Sequence, residues 1–570
     1  MKITIGKEIP SQVHSELSSY PEFLRELLYY RGIETGTQAE NFLNPDYVRD
    51  SHDPYLIKDM DKAVERVLKA VKNDEKTVIY SDYDADGIPG AVVLHDFFKK
   101  IGYTNFVNYI PHRHNEGFGL NLEAVEEFGK SEAELLITID CGIADNEEVE
   151  SANKLGIDVI ITDHHEPNGE VPRAYAILNS KQKDCNYPFK MLCGSGVIFK
   201  LIQAILWKEN FGLKEGMEKW FLDMVGLATM ADMVPLHGEN RVFAFYGLKV
   251  LQKSPRVGLM KLLSKLKVSQ RHLSEDDIGF TIVPRINAAS RMGIPMDAFT
   301  LLSTTDEGVA GAMAEHLNKI NDERKGIVAS IVKEIRHIIS ERGTREKKKI
   351  IVVGNPKWKP ALLGLAANTL MEDYRCPVFV WGREDGPTIK GSCRSDGSVD
   401  LVALMERTKD SFLEFGGHKM SGGFSVSHEK IHFLEDELSR VYDELAIGVK
   451  TTDTQIFIDK KLSVDEVNWD TWKQIEKLAP FGMGNAKPVF LFERAELQGA
   501  KIFGKQENHL ELGFLNSNGK SVKAIGFFMK PEDFSMPLKK GERINLVATM
   551  EKSMFRNFPE LRLRIVDILV

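Results

Sequence analysis

No apolar run in this chain approaches the roughly 20 residues that a membrane span requires, which argues against a transmembrane protein. Its first residues, MKITIGKEIPSQVHSEL, lack the apolar stretch of a secretory signal. Cysteine is scarce: the five residues Cys141, Cys185, Cys193, Cys376 and Cys393 are odd in number and form no C-x-x-C pair. A disulfide framework and a zinc knuckle are thereby disfavoured, and a reducing cytoplasm is the expected setting. Internal repeats and low-complexity tracts are also missing. Positive charge falls short of negative, 74 Lys and Arg against 83 Asp and Glu for a net charge of -9, which at first speaks against nucleic acid. That exclusion is weak, because carboxylates that hold cations consume negative charge and phosphate contacts need only local Arg and Lys.

What is present reads as a soluble protein of three or four domains, since 570 residues exceed one core. Residues 1–50 look like a helical lead-in, with EFLRELLYYRGI at helical spacing and NPDY ending it. From about 51 to 305, the apolar runs KTVIYSD, NFVNYIP, ELLITID and DVIITD alternate with helix-like AVVLHDFFKKIG and NLEAVEEFG, and helices dominate after about 194. Runs apolar on both faces with helices between them predict a parallel sheet. Residues 306–341 carry a stripe of Val309, Met313, Leu317, Ile320, Ile327, Ile331, Ile335 and Ile338, predicting one helix of about 50 Å that joins two units. The polar loop ERGTREKKK follows. A second alternating unit spans 346–450, with IIVVG, LLGLAANTLMEDY, PVFVWG and TIKGSCRS. From 451 to 570, TQIFIDKKL, HLELGFL, VKAIGFF, RINLVATM and LRLRIVDIL predict a small β-barrel.

Three apolar runs end in acidic or imidazole groups. Asp82, Asp84 and Asp86 follow the first, Asp140 another, and Asp163, His164 and His165 a third. Ligands of open α/β sheets gather beyond the carboxyl ends of strands. One Asp after a strand is more often a helix cap or turn former. Seven such residues at three strand ends instead predict a divalent-cation site, because carboxylates that close resist joint ionisation. Mixed Asp and His ligands suit Mn2+ and leave Mg2+ possible. Asp163 and Asp86 could serve only as cap, orienting group or turn. In a helical region, ATMADMVPL offers Asp232 between apolar neighbours, whereas Asp223 could equally be an exposed helical residue.

Phosphate-facing candidates are Arg113 in YIPHRHNEGFGL, where Gly117 and Gly119 allow close backbone approach, and Arg285, Asn287 and Arg291 in PRINAASRMG. KGSCRSDGS adds small residues and Arg394, and EFGGHKMSGGF adds His418 between glycine pairs. Taken singly, each Arg reads as a surface ion pair and each glycine pair as a turn.

Motifs in this order resemble the DHH phosphoesterases, and within them the RecJ family of bacterial single-strand-specific 5′→3′ exonucleases. The resemblance covers nearly the whole chain: LLYYRGI, NFLNP and DPYLIKDMDKAVERV; SDYDADG, IPHRHNEGFGL, ITIDCG, TDHH, CGSGV, ATMADMVPL and PRINAASRMG; GSCRS and FGGHKMSGGF; LAPFGMGNAKPVF. It implies an α/β fold: a DHH domain with a parallel sheet, a long connecting helix, a DHH-associated α/β domain and a C-terminal OB-type barrel. It implies two divalent cations, Mn2+ before Mg2+, held by Asp82, Asp84, Asp140, His164 and Asp232, with Asp86 and Asp163 supporting. His165 would orient a ligand or contact the scissile phosphate. Arg113, Arg285, Ser392, Arg394 and His418 would hold DNA phosphates, the terminal 5′ phosphate among them, and Phe118 would meet a base. Two cations would drive in-line water attack and release 5′-mononucleotides. The implied partners are single-stranded DNA, a single-strand-binding protein and a RecQ-type helicase, for a monomer acting in repair and recombination. Pro89, Ser290 and Lys359 stand where the family commonly has Thr, Gly and His; none is an implied ligand. Two rival readings are a DHH phosphodiesterase for short oligonucleotides or cyclic dinucleotides, which the barrel opposes, and a non-catalytic replication-fork adaptor, which the intact ligand set opposes.

Overall fold

The computed structural model describes residues 2–167, 169–341, 349–383, 388–445, 455–504, 507–534, 536–554 and 558–569. The expected loop ERGTREKKK lies almost wholly outside them. Among the described residues no helix is long and apolar enough to cross a membrane.

The first strand, β1 (Lys2–Ile5), precedes the expected leading helices, among them Glu22–Tyr29 and Gly36–Leu43. It runs parallel to β12 (Gln455–Ile458), far along the chain. Leu24, Leu27 and Leu28 of the leading helices share one core with Phe490, Leu497 and Leu512 of the barrel. The lead-in therefore has no separate core of its own.

The next unit is a five-stranded parallel sheet in the order β3-β2-β4-β5-β6. Its strands are β2 (Thr77–Ser81), β3 (Phe106–Tyr109), β4 (Leu135–Ile139), β5 (Asp158–Thr162) and β6 (Ala176–Leu178). β2 and β4 are buried along their whole length, as their unbroken apolar runs require. The short AIL run of β6 is too brief to register as a strand by pattern. Helices Gly87–Lys100, Gly194–Lys208 and Leu222–Ala231 cover one face, and Leu122–Lys130 and Asn146–Lys154 the other. The chain leaves β2 for β3 on one side and then places β4 on the other, so the order reverses between β2 and β4. A crevice at such a reversal is where open α/β sheets hold ligands.

The connecting helix is continuous over Glu307–Glu341. Ala314, Leu317 and Ile320 pack into the core of the parallel-sheet unit, and Ile331, Val332 and Ile335 into that of the next. Val309 leaves the expected stripe: it is exposed, and Ala310 is buried instead. One residue of rotation at the helix start suffices for this exchange.

Beyond it lies a mixed sheet in the order β10-β11-β9-β8-β7. It comprises β7 (Ile351–Asn355), β8 (Val378–Gly382), β9 (Ile389–Arg394), β10 (Glu414–His418) and β11 (Ser421–Val426), with helix Pro360–Tyr374 against it. The glycine pairs around His418 are strand residues rather than turns, with Gly416 opposite Gly423 and Gly417 opposite Gly422. The last unit holds β13 (Lys460–Lys461), β14 (Val489–Phe503), β15 (His509–Leu515), β16 (Ser521–Phe527), β17 (Arg543–Ser553) and β18 (Glu560–Leu569). Pairing of β14 with both β15 and β17 closes five of these strands into a barrel.

Candidate metal centre and nucleic-acid cleft

The sheet ladder runs one residue past three strands. Asp82 N–H donates to Ile139 O, Asp140 N–H to Thr162 O and Asp163 N–H to Leu178 O, each at 2.9–3.1 Å. Asp82, Asp140 and Asp163 thus lie in a row along the carboxyl edge. Asp140 adopts φ 62, a left-handed conformation that Asp tolerates at a cost of about 1–3 kcal/mol. Gly194 makes room beside it, for a Cβ there would stand 2.5 Å from Asp140 Cβ.

Around this row the side chains converge. His164 Nε2 is 3.1 Å from Asp140 Oδ1, 3.6 Å from Asp232 Oδ2 and 3.8 Å from Asp86 Oδ2. Three sets of potential ligand atoms each fall within 4.8 Å: Asp82, Asp84 and Asp140; Asp140, His164 and His165; Asp86, His164 and Asp232. Asp140 belongs to two of them. Asp84 Oδ1 accepts the N–H groups of Asp86 and Gly87 at 2.7 and 3.2 Å, which fixes the loop at the start of the Gly87–Lys100 helix. Asp86 accepts from Gly194 N–H at 2.6 Å and Ser195 N–H at 2.8 Å, so its carboxylate caps the Gly194–Lys208 helix while facing His164.

Asp163 is spent on its own loop and on the loop after β4. Its Oδ1 takes the His164 N–H at 2.7 Å, the His165 N–H at 3.1 Å and His165 Nδ1–H at 2.8 Å, and its Oδ2 the Ile143 N–H at 3.0 Å. Burial works to raise this carboxyl, but the His165 hydrogen bond and charge outweigh it and hold it below the usual range. Burial likewise works to lower His165, and the Asp163 bond overcomes it, lifting the ring to about 9.

The other acids behave oppositely. Burial, then Asp86, Asp84, Asp82 and Asp232, push the Asp140 carboxyl well above the usual range. Burial and Asp84 do the same to Asp82, and burial with Asp86 and Asp84 brings Asp232 to about 9. Asp82 Oδ1 and Asp140 Oδ1 are buried and accept no hydrogen bond. Orphaned oxygens among mutually repelling carboxylates, beside the His164 imidazole that burial holds below its ordinary pKa, fit a divalent cation of Mn2+ or Mg2+ type. Asp223 takes no part. It is buried rather than exposed, accepting from Ser254 Oγ and Arg256 Nε at 2.7 Å each, because the Arg256 guanidinium bridges it to Asp96.

Arginines gather on the walls beside the acids, Arg291 within reach of the Asp84 charge and Arg113 of the Asp82 charge. Arg113 lies 4.9 Å over the Tyr83 ring. Arg291 reaches from the Val283–Met292 helix to Ala361 O at 2.9 Å, joining the two α/β units. Burial, then Arg113 and Arg324, with Arg394 adding to them, bring Arg291 down to about 10. Arg394 and Ser392 on β9 approach Gly364 of the Pro360–Tyr374 helix, and Arg394 is in register with Ser421, itself opposite His418. Arg285 is turned away, donating to Thr281 O at 2.9 Å and Asn318 Oδ1 at 3.2 Å on the connecting helix. Asn287 Oδ1 is buried without a partner. Phe118 is exposed, its ring edge-on to His165 at 5.6 Å. None of these arginines forms a salt bridge among the described residues, contrary to the surface-pair reading.

Arg324 is the residue that pattern reading missed. It sits where the connecting helix crosses between its two cores, with Nε buried and unpartnered, and burial and Arg285 lower its pKa. One turn earlier, Asn321 is fully buried with both amide atoms unpartnered. Within a run of charged helical residues nothing in the spacing distinguishes them.

Comparison with known proteins supplies the family. Residues 76–229 match the DHH family N-terminal domain, 346–444 the DHHA1 domain and 458–567 the RecJ OB domain. The chain is 32% identical over 566 residues to the single-stranded-DNA-specific exonuclease RecJ of Bacillus subtilis, covering 99% of this chain and 69% of that protein. It is 28% identical over 491 residues to RecJ of Escherichia coli, covering 82% and 83%. The fold matches RecJ of Thermus thermophilus in complex with Mn2+ at TM-score 0.82 and 23% identity, over 100% of this chain and 79% of that one. A second solved structure, exonuclease RecJ bound to manganese, matches at TM-score 0.60 and 28% identity over 70% and 98%. With three domain matches in the same order as its sheets and barrel, this chain belongs to the RecJ family of DHH phosphoesterases.

Proposed function

We propose that this chain is a metal-dependent exonuclease that degrades single-stranded DNA from its 5′ end and releases 5′-mononucleotides, acting in DNA repair and recombination. The observation that carries the reading is the row of Asp82, Asp140 and Asp163 at three strand ends, beside arginines that form no salt bridge among the described residues. Asp82, Asp84, Asp140, His164 and Asp232 hold two divalent cations, Mn2+ ahead of Mg2+; two ligand sets that share Asp140 support a paired site. When bound, such cations supply charge neutralisation at a phosphate and acidify water.

The chain's own groups do the rest. Asp163 fixes the His165 ring through its Nδ1, which leaves Nε2 free to meet a phosphate oxygen at the cut. Asp86 and Gly194 seat His164 and Asp140. Arg113, Arg291, Ser392, Arg394 and His418 hold phosphates, the last three the terminal 5′ phosphate. Arg285 and Asn287 lie on the helix that carries Arg291, where Arg285, turned towards the connecting helix, braces the wall behind the path. Phe118 stacks on a base. Polarity follows from a pocket for the terminal phosphate set across the cleft from the cations. We read residues 51–305 as the catalytic unit, 306–345 as the connector, 346–450 as the DHH-associated unit, and 451–570 with the 1–50 lead-in as the strand-holding end. Recruitment by a single-strand-binding protein and a RecQ-type helicase, a monomeric state and a cytoplasmic setting complete the proposal.

The test is digestion of end-labelled single strands with Mn2+, with the 5′ end free or blocked. Mononucleotide release from free 5′ ends is expected. Degradation from the 3′ end overturns the polarity, and faster cleavage of dinucleotides than of long strands favours a short-oligonucleotide phosphodiesterase.

A further inference from the structure

We propose that a cavity at the end of the catalytic unit remote from the metal centre, between Trp220, Lys99 and Lys100, is an effector site for a nucleoside phosphate. The proposal rests on the single-strand exonuclease reading, whose 5′-mononucleotide product is one source of such a ligand.

Two helices set the cavity's place. The Gly87–Lys100 helix starts at the loop of Asp84 and Asp86 and ends in Lys99 and Lys100. The Leu222–Ala231 helix starts behind Trp220 and Phe221 and ends at Asp232. At 1.5 Å per residue, helices of 14 and 10 residues carry the cavity about 15–20 Å from the clustered acids. The space between their remote ends measures about 500 Å³, with Trp220, Phe221, Pro255, Val257 and Leu302 on its apolar side. That volume suits one small molecule.

Arg256 forms the floor. Its Nη1 donates to Asp96 Oδ2 of the first helix at 2.6 Å and to Leu302 O at 3.2 Å. Its Nε and Nη2 donate to Asp223 of the second helix at 2.7 and 3.3 Å, and Asp223 also accepts from Ser254 Oγ. Both carboxylates of the lining are thus engaged by protein donors, and one N–H of the guanidinium is left over. The same clasp holds the two helices together at this end.

The rim is cationic. Lys99, Lys100 and Lys253 are exposed, and none of them forms a salt bridge among the described residues. Lys99 lies within reach of the Asp96 charge, but that carboxylate is already bonded to Arg256. Lys253 Nζ stands 5.7 Å from the centre of the Trp220 ring, which is 48% exposed. The helix dipole accounts for two lysines in a last turn. It accounts neither for a third lysine from another element nor for a half-exposed indole beside it.

The chemistry selects the ligand. A nucleobase stacking on a flat ring gains about 1–3 kcal/mol. Ammonium groups meet its phosphate as point charges, and Ser303, Thr304 and Thr305 on the remaining wall offer hydroxyls to the sugar. A ligand held by Lys99, Lys100 and Trp220 restrains the remote ends of the two helices whose other ends set Asp86 and Asp232. Occupancy is thereby coupled to the arrangement of the clustered acids without any contact between them and the nucleotide.

The experiment titrates the full chain in EDTA with dAMP by calorimetry. Two sites are expected, one in the arginine-lined cleft that Arg394→Ala removes, and one that Arg394→Ala leaves intact. Trp220→Leu should weaken the second site by at least about tenfold, and Trp220→Tyr should preserve it. Lys99→Ala combined with Lys100→Ala should weaken it by about fivefold at low salt and less at high salt. Thermal midpoints of the unliganded variants should match the wild type. Adenosine and inorganic phosphate should each bind more weakly than dAMP. With Mn2+ and a single-strand substrate, dAMP should raise KM through the cleft in both wild type and Trp220→Leu. In the wild type alone it should also change kcat, by at least about twofold. A single site that Arg394→Ala abolishes, or adenosine binding as tightly as dAMP, overturns the proposal. So does an acidic peptide that fills the cavity where dAMP does not, which makes it a protein-docking site. Tighter binding of ADP than of dAMP keeps the site and makes the free nucleotide pool its source. An unchanged wild-type kcat refutes the effector role. Failure to release mononucleotides overturns the exonuclease reading alone, since the titration needs no turnover.

Discussion

His165 Nδ1 and Asp163 Oδ1 are 2.8 Å apart, and the same oxygen also takes the backbone N–H groups of His164 and His165. Asp163→Asn keeps the shape but presents an amide N–H where Ile143 N–H now donates. We expect activity to fall by about 10–100-fold, the usual cost of losing a group that orients a ligand. Single-strand affinity should stay near the wild-type value, and the half-saturating Mn2+ concentration should rise. Unchanged activity and Mn2+ dependence would remove Asp163 from the site.

Asp140→Asn tests the cation centre. Asn tolerates the φ of 62, and the change replaces a carboxyl whose ionisation burial and four other carboxylates oppose. Without metal, the variant should be as stable as the wild type or more so. With Mn2+ at about 100 times its Kd, the wild type should gain about 2.7 kcal/mol, and the variant much less. Nuclease activity should drop by at least about a hundredfold. Equal Mn2+ stabilisation of both proteins would place the cations elsewhere.

Arg324→Gln asks whether the connecting helix touches substrate. If the unpartnered guanidinium neutralises one phosphate, its loss should weaken single-strand binding for all sequences. It should also reduce the slope of log K against log salt by about 0.7. A slope identical to wild type would make Arg324 a structural residue.

His95 provides a pH signature outside the site. Burial, with Lys99 and Arg256, lowers it to about 4, and its ring lies edge-on to Phe106 and Phe299 at 5.3 Å. The folded pKa is below the unfolded value near 6.5, so the unfolded chain binds the extra proton between those limits. Its contribution is complete above about pH 6.5 and is lost as pH falls towards 4, on the order of 1–2 kcal/mol once screening of a part-exposed ring is allowed for. Urea unfolding of His95→Gln across this range should show a flatter pH dependence than wild type. Parallel curves would refute the assignment.

The sheet and its strand ends were legible because both faces of β2, β4 and β5 are covered, which writes continuous apolar runs, each ending in a ligand-type residue. β14 was not. Its run is broken by Glu493 and Arg494, the latter at φ 51, where the pairing with β17 shifts register and period-two alternation fails. β1 was missed for a different reason: four residues gain strand character only from β12, and no local pattern encodes so distant a partner. Within the site, acids clustered by sequence were found, whereas Asp223 needed Arg256 and Arg324 needed the neighbouring arginines to reveal their setting. Side chains defined by what they face leave no periodic trace.

The pairing of β1 with β12 also dictates an order of events at the ribosome. Lys2 is made long before its strand partner Gln455, which emerges only after the parallel sheet, the connecting helix and the mixed sheet. At about 5–20 residues per second, that is a wait of roughly 20–90 s. Meanwhile Leu24, Leu27 and Leu28 have no barrel to cover them. The nascent chain therefore carries a sticky leading segment through most of its synthesis, a standing demand for chaperone cover that ends only when the barrel closes over it.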